Sequence, residues 1–142
     1  FEALLRKHAP LDITCQGIGR SGHIALNEPG SDFRDARWVR VVDVAEASKR
    51  QLMEDPNFRE LGAIPDKGIT MTLPALLASR HIFTMVPLAS KRPVLTKLFN
   101  TPEPSPDLPA SILSARPGLL FVDRDSCPPG VIRQFAKVPA KI

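Results

Sequence analysis

The sequence predicts an α/β fold, a largely parallel sheet covered by helices on both faces. Three observations carry this: short β-branched or apolar runs alternate with segments of helical spacing, most of the fifteen prolines fall at helix starts or in loops, and the longest glycine loop directly follows an apolar run. Phe1, Leu4, Leu5 and His8 recur at helical spacing until Pro10 stops them, and "LDITCQGI" then reads as a strand. "WVRVVDV" is a second strand, and Asp43 with Glu46 three residues on suggests a capping box opening the helix "AEASKRQLME". A polar loop through Pro56 and Pro65 leads to the strand "KGITMTL", the helix "PALLASR" with Pro74 in its first turn, and the strand "HIFTMVPL". "SKRPVLTKLFN" is a helix that Ser90 would cap, "TPEPSPD" is a proline-rich loop, "PASILSAR" starts a further helix at Pro109, and "GLLFVDRD" reads as a buried strand.

With 142 residues the chain has the length of one domain or a piece of one. Its 43% hydrophobic and 24% charged residues are ordinary for a globular protein, and no run is long and apolar enough for a membrane helix. The net charge of +4 is spread along the chain without a basic tract, and there is no tyrosine. That pattern gives little support to a nucleic-acid surface and is equally compatible with anionic small molecules. Cys15 and Cys127 lie far apart with no C-x-x-C, which predicts reduced thiols and a cytoplasmic protein. The opening "FEALLRKHAP" resembles neither a start nor a signal peptide, so the chain is expected to be part of something longer.

The segment Gly17-Ile18-Gly19-Arg20-Ser21-Gly22 fits the dinucleotide fingerprint G-x-G-x-x-G. That fingerprint needs a helix opening at its third glycine, whereas "HIALNEPG" follows here, with Asn27-Glu28-Pro29-Gly30 as turn chemistry. Asp43, placed where a ribose-binding acid would stand, is already accounted for as a cap. The competing reading is a loop whose glycines let backbone approach a ligand, followed by His23 and Glu28 on a turn where they can converge. His23 could then exchange protons near neutral pH while Glu28 holds the imidazole in one tautomer. A purely structural histidine remains open on these residues alone.

The stretch "GIGRSGHIALNEPGSDF" resembles the signature of the glucosamine-6-phosphate deaminase (isomerase) family, and "KGITMTLPALLASRHIFTMVP", "KRPVLTKLF" and "LPASILSARPGLLFVDRDS" extend the likeness to about Ser126. Phosphogluconolactonases share the Gly-His pair but continue differently, so Asn27-Glu28-Pro29 favours the deaminase branch. The resemblance implies a three-layer α/β/α Rossmann-like domain, of which residues 1–142 are the C-terminal portion. It further implies conversion of D-glucosamine 6-phosphate and water to D-fructose 6-phosphate and ammonia, with no redox cofactor and no metal.

In the family a histidine opens the sugar ring, supported by an aspartate two residues earlier and a glutamate five later. His23 and Glu28 match, and Ser21 stands at the aspartate position, a neutral hydroxyl that cannot supply an anion. Gly17 and Gly19 are expected against the sugar phosphate and Lys91 on its phosphate. The family's enolising aspartate and its early glycine-and-serine phosphate loop belong to an N-terminal half that this chain does not contain, and which it is expected to need. The complete protein is expected to be a homo-oligomer with a sugar-phosphate partner and neither nucleic acid nor membrane. Lys49 and Arg50 are left unassigned, His8 and His81 are expected to pack or face solvent, and Asp32, Arg34 and Arg37 to form a solvated turn. Two other functions stay open: a binding or regulatory module that has lost the chemistry, suggested by Ser21, and a lactonase.

Overall fold

The computed structural model describes residues 1–60 and 63–131; Leu61, Gly62 and positions 132–142 of the expected domain lie outside the described residues. The order is α1 (Glu2–Lys7), β1 (Ile13–Gln16), β2 (Val39–Asp43), α2 (Glu46–Leu52), α3 (Pro56–Arg59), β3 (Lys67–Met71), α4 (Leu73–Leu77), β4 (His81–Val86), a 3-10 turn (Ala89–Lys91), α5 (Arg92–Phe99), a 3-10 segment (Pro109–Ala115) and β5 (Leu119–Val122). Prolines sit in the first turns of α3, α4, α5 and the second 3-10 segment, where a fixed φ and a missing N–H cost nothing.

The five strands divide into two sheets. β1, β4 and β5 form a parallel sheet in the order β1-β4-β5, with Ile13 beside His81 and Phe83 beside Leu119. β2 and β3 instead form a separate antiparallel pair, Val39 opposite Met71 and Asp43 opposite Lys67. The expected mostly parallel sheet is present in β1, β4 and β5, while β2 and β3 pair apart from it: strand periodicity names strands but not their partners, because pairing depends on contacts distant in sequence.

Beneath one face of the parallel sheet lies the core, built from Ile18, Ile24, Leu73, Leu76, Val86, Val94, Leu95, Leu108 and Ala110. Two members, Ile18 and Ile24, come from the glycine loop itself. Each buried isoleucine contributes roughly 1.5–3 kcal/mol of apolar transfer, so the loop is pinned from below, with Gly19 and Gly22 buried, Ser21 and His23 half-buried and Arg20 exposed between them.

Across the other face, register aligns Ile13, Cys15, Phe83, Met85, Leu119 and Phe121. Among the described residues nothing layers over it: Ile13 is 54% exposed, Met85 43% and Phe121 51%. Phe83 and Phe121 meet edge to face, which organises the patch without covering it. Both faces covered was the expectation, and one is. β5, expected as a buried strand, is exposed at all four residues because it is the edge strand: Leu119 and Phe121 stand on the uncovered face, and Leu120 and Val122, on the opposite face, are exposed too, at 37% and 36%.

Two local expectations also change. α2 is capped by no side chain and its N-cap is Ala45; Asp43 instead takes the ammonium of Lys67 across the β2–β3 pair at 2.6 Å. Ser90 lies inside the 3-10 turn, and Lys91 is the uncapped N-cap of α5. In both cases a non-local partner or a tighter turn wins over a weak local signal. Cys15 and Cys127 are free thiols, and among the described residues no helix is long and apolar enough to cross a membrane.

Candidate active site

At the carboxyl ends of β1 and β4 the chain forms a cleft of about 280 Å³ lined by Gly17, Gly19, His23, Ala25, Gln51 and Lys91 with the Met85–Pro87 backbone region. Parallel strands direct their following loops to this end, which is where α/β sheets place ligands. Four of the residues expected at the site, Gly17, Gly19, His23 and Lys91, meet in this one wall. A larger groove of about 310 Å³ lies elsewhere, between β5, α5 and the second 3-10 segment, and is lined mostly by leucines, isoleucine and phenylalanine rather than by titratable groups.

The loop after β1 is a closed turn rather than a helix start. Gly22 N–H donates to the Gly19 carbonyl and Gly19 N–H to the His23 carbonyl, both at 2.9 Å, and Gly22 has φ +88. Residues 23–38 contain no helix, so the pyrophosphate-binding helix terminus of the dinucleotide reading is not formed. Asn27, nearly buried, ties the turn to the second sheet: its Nδ2 donates to the carbonyls of Ile24 at 2.8 Å and Met71 at 2.9 Å. Gly19 has a clear physical reason, because a Cβ there would land inside the His23 imidazole.

His23 Nδ1 lies 2.6 Å from the Ala25 carbonyl oxygen. A carbonyl only accepts, so Nδ1 carries the hydrogen and Nε2 of the neutral ring is left as the acceptor. Nε2 is buried and has no hydrogen-bond partner. An orphaned acceptor of this kind normally costs 1–3 kcal/mol or so unless a further donor reaches it. Ala25 reaches its position with φ +52, a left-handed conformation that a non-glycine residue seldom adopts.

The imidazole is therefore oriented by backbone, not by Glu28 as expected. Both carboxylate oxygens of Glu28 are engaged elsewhere: Oε2 accepts from Ser21 Oγ at 2.9 Å and Oε1 from Ser48 Oγ in a very short contact. Ser21 and Glu28 are consequently outside the cleft wall, coupled to each other behind it. A serine at position 21 has a proton to donate, so it draws the carboxylate to itself where a second carboxylate would have repelled it. Ser48, in the first turn of α2 and 5% exposed, is a participant the sequence reading missed. Nothing in "AEASKRQ" distinguishes it from a helix-surface serine until the fold brings Glu28 against it.

Opposite the glycine loop, Lys91 is half-buried at the start of α5. Burial, and then the nearby charge of Arg20, hold its ammonium below the ordinary lysine range, with Glu54 opposing them. The turn that carries Lys91 is anchored by Asp123, which follows β5: its Oδ2 accepts the Leu88 amide at 2.9 Å and its Oδ1 the Ser126 amide at 2.7 Å. These bonds hold the Asp123 carboxyl below its usual range and fix Leu88 at φ +82. Among the described residues the two left-handed non-glycine positions, Ala25 and Leu88, thus lie beside the imidazole and the turn of the lysine respectively.

Lys49 bridges Glu46 at 2.8 Å and Asp66 at 2.6 Å, which pushes it up to about 12 and makes it structural; Arg50 is exposed on α2. His8 and His81 are exposed. Asp32 accepts the Arg34 amide at 2.8 Å and Arg37 approaches Asp35 at 3.6 Å in an exposed turn. Among the described residues no cluster of three or more His, Cys, Asp or Glu could hold a metal ion.

Replacing Gly19 by alanine tests the placement of the imidazole. The ring must leave its seat to admit the methyl group, and a displacement of about 1 Å at a reacting group can lower turnover ~10²-fold. The expected result is that loss in kcat/KM in a turnover-competent form, with a melting temperature close to the parent's because a side chain rather than backbone gives way. Parent-like turnover would show that the seat against Gly19 is not the reactive position.

Fold and cleft together define an α/β protein whose parallel strands present a glycine loop, an oriented imidazole and a lysine at one end. The family described as Glucosamine-6-phosphate isomerases/6-phosphogluconolactonase matches residues 1–121, and the chain belongs to it. It is 32% identical over 128 residues to the glucosamine-6-phosphate deaminase of Geobacillus sp. (strain WCH70), covering 89% of this chain and 49% of the relative. It is 31% identical over 129 residues to that of Staphylococcus epidermidis, covering 90% and 51%. Among solved structures it is similar to a monomeric glucosamine-6-phosphate deaminase, with TM-score 0.78 and 31% identity over 88% of this chain and 50% of that one. The 6-phosphogluconolactonase from Leishmania guyanensis, at TM-score 0.60 and 18% identity over 88% and 48%, shares the fold. The chain spans about half the length of the curated relatives it matches.

Proposed function

We propose that these residues form the ring-opening side of a sugar-phosphate site that converts D-glucosamine 6-phosphate and water to D-fructose 6-phosphate and ammonia. The observation that carries this reading is His23: Nδ1–H committed to the Ala25 carbonyl, Nε2 free as an acceptor, and Lys91 in the same cleft wall. Nε2 would take the proton of the anomeric hydroxyl and return it to the ring oxygen as the bond from C1 to that oxygen breaks. Lys91 would hold the phosphate as a point charge, and Gly17 and Gly19 would let backbone approach the sugar. The Ser21–Glu28–Ser48 cluster would support the loop and place negative charge behind the imidazole. The base that removes the C2 proton is assigned to no residue of this chain. A cytoplasmic location and assembly as a homo-oligomer belong to the same proposal.

A second reading, binding without turnover, is favoured by one observation: the imidazole is bonded to a backbone carbonyl, while Glu28 is held by two serines. An ammonia assay on glucosamine 6-phosphate, run beside hydrolysis of 6-phosphogluconolactone and calorimetry with fructose 6-phosphate, separates the readings. Ammonia release faster than lactone hydrolysis is expected. Heat of binding with neither product would establish the module instead, and dominant lactone hydrolysis the lactonase.

A further inference from the structure

The rim of the cleft carries a second cation, on the glycine loop itself. Arg20 follows Gly19, and its backbone amide donates at 3.4 Å to Oε1 of Gln51, which together with Gly19 and Lys91 lines the cleft. Its guanidinium makes a two-pronged pair with Glu54, Nη1 donating to Oε1 at 2.7 Å and Nη2 to Oε2 more closely still. The side chains are 45% and 57% exposed, which makes the pair a weak contributor to stability. A guanidinium fork fits two phosphate oxygens as well as it fits two carboxylate oxygens, and a phosphate monoester brings more charge.

Lys91 is a cation of the cleft lining itself. Among the described residues no carboxylate lies within salt-bridge distance of its ammonium. It nonetheless lies near enough to Arg20 to feel its charge, and near enough to Glu54 to feel the opposite one. Lys91 shares the cleft lining with Gln51, which the Arg20 amide reaches, so a half-buried lysine and an arginine stand on either side of Gln51 with one carboxylate, Glu54, bound only to the arginine, an excess of positive charge. Repulsion of this kind is relieved by an anion that spans both groups.

We propose that Arg20 and Lys91 together bind the phosphate monoester group of the substrate, and that Glu54 competes with that group for the Arg20 guanidinium. The inference rests on the phosphate-binding part of the proposed function and not on the reaction that follows. Inorganic phosphate titrated calorimetrically into the full chain tests it. Arg20→Gln is expected to weaken binding about tenfold, the scale of one charge-assisted bidentate contact. Glu54→Gln is expected to strengthen it several-fold, and most of that gain is expected to vanish in the double variant, since Glu54 acts chiefly through Arg20. Arg20→Lys, which keeps the charge and loses the fork, is expected to restore part of the affinity; no recovery would overturn the proposal by showing that Arg20→Gln acts through the loop's fold. Parent-like affinity in Arg20→Gln, or no gain in Glu54→Gln, would also overturn it. Lys91→Met distinguishes the two levels. If it loses phosphate while Arg20→Gln does not, only this inference fails; if neither variant loses it, the phosphate assignment of the proposed function fails as well.

Discussion

Replacing His23 by glutamine in a form of the protein that turns over glucosamine 6-phosphate is expected to lower kcat/KM by about 10²–10⁴-fold, the range supplied by a positioned general acid–base group. Glutamine is close in size and its amide can still donate to the Ala25 carbonyl, so the turn keeps its internal bond. It cannot accept a proton and return it, so ring opening is the step that suffers. The fold should survive, because the loop is held by Ile18 and Ile24 in the core and by Asn27 to two backbone carbonyls, none of which the substitution touches. Ammonia release and a thermal melt measure the two quantities separately. Undiminished turnover removes His23 from the chemistry, while a large fall in melting temperature would make the residue structural.

Residues 1–142 prepared alone are expected to self-associate. One face of the parallel sheet presents Ile13, Met85, Leu119 and Phe121 to solvent, each more than 40% exposed, and β5 adds Leu120 and Val122 on its other side. Contiguous apolar surface of this kind is uncommon on monomers beyond a few hundred Å² or so. Among the described residues no strand pairs with the outer edges of β1 and β5, which leaves backbone groups available beside it. Sedimentation velocity at rising concentration should show association, and Leu119→Lys with Phe121→Lys should reduce it by placing charge on the exposed face without entering the core. A monodisperse monomer of the parent chain would contradict this account.

How much of this was legible depends on how local each determinant is. The strand runs, the prolines of the first helical turns and the glycine loop act through their own φ angles and periodicity, and the structure has them where the residues place them. The meeting of Gly17, Gly19, His23 and Lys91 was likewise expected, from motif resemblance. Asp43 and Ser90 were misread because a cap signal is worth only about 1 kcal/mol, and a cross-strand lysine or a tighter turn outweighs it. Glu28 was misread for a related reason: a carboxylate goes to whichever donors surround it, and Ser48 arrives from a helix twenty residues away.

By itself, then, the sequence determined the alternation of strands and helices, the departure of the glycine loop from a dinucleotide cradle, and the family's histidine, glutamate and lysine at their spacings. Only the tertiary structure decided that the strands split into a parallel and an antiparallel sheet and that one sheet face has no layer over it among the described residues. It also decided that His23 is oriented by the Ala25 carbonyl while Glu28 is taken by two serines, and that Arg20 and Glu54 meet at the cleft rim. The physical reason is common to all of these: backbone preference and hydrophobic period are written within a few residues, whereas the partner of a strand edge, a carboxylate or a guanidinium is chosen by whatever packing brings within about 3 Å.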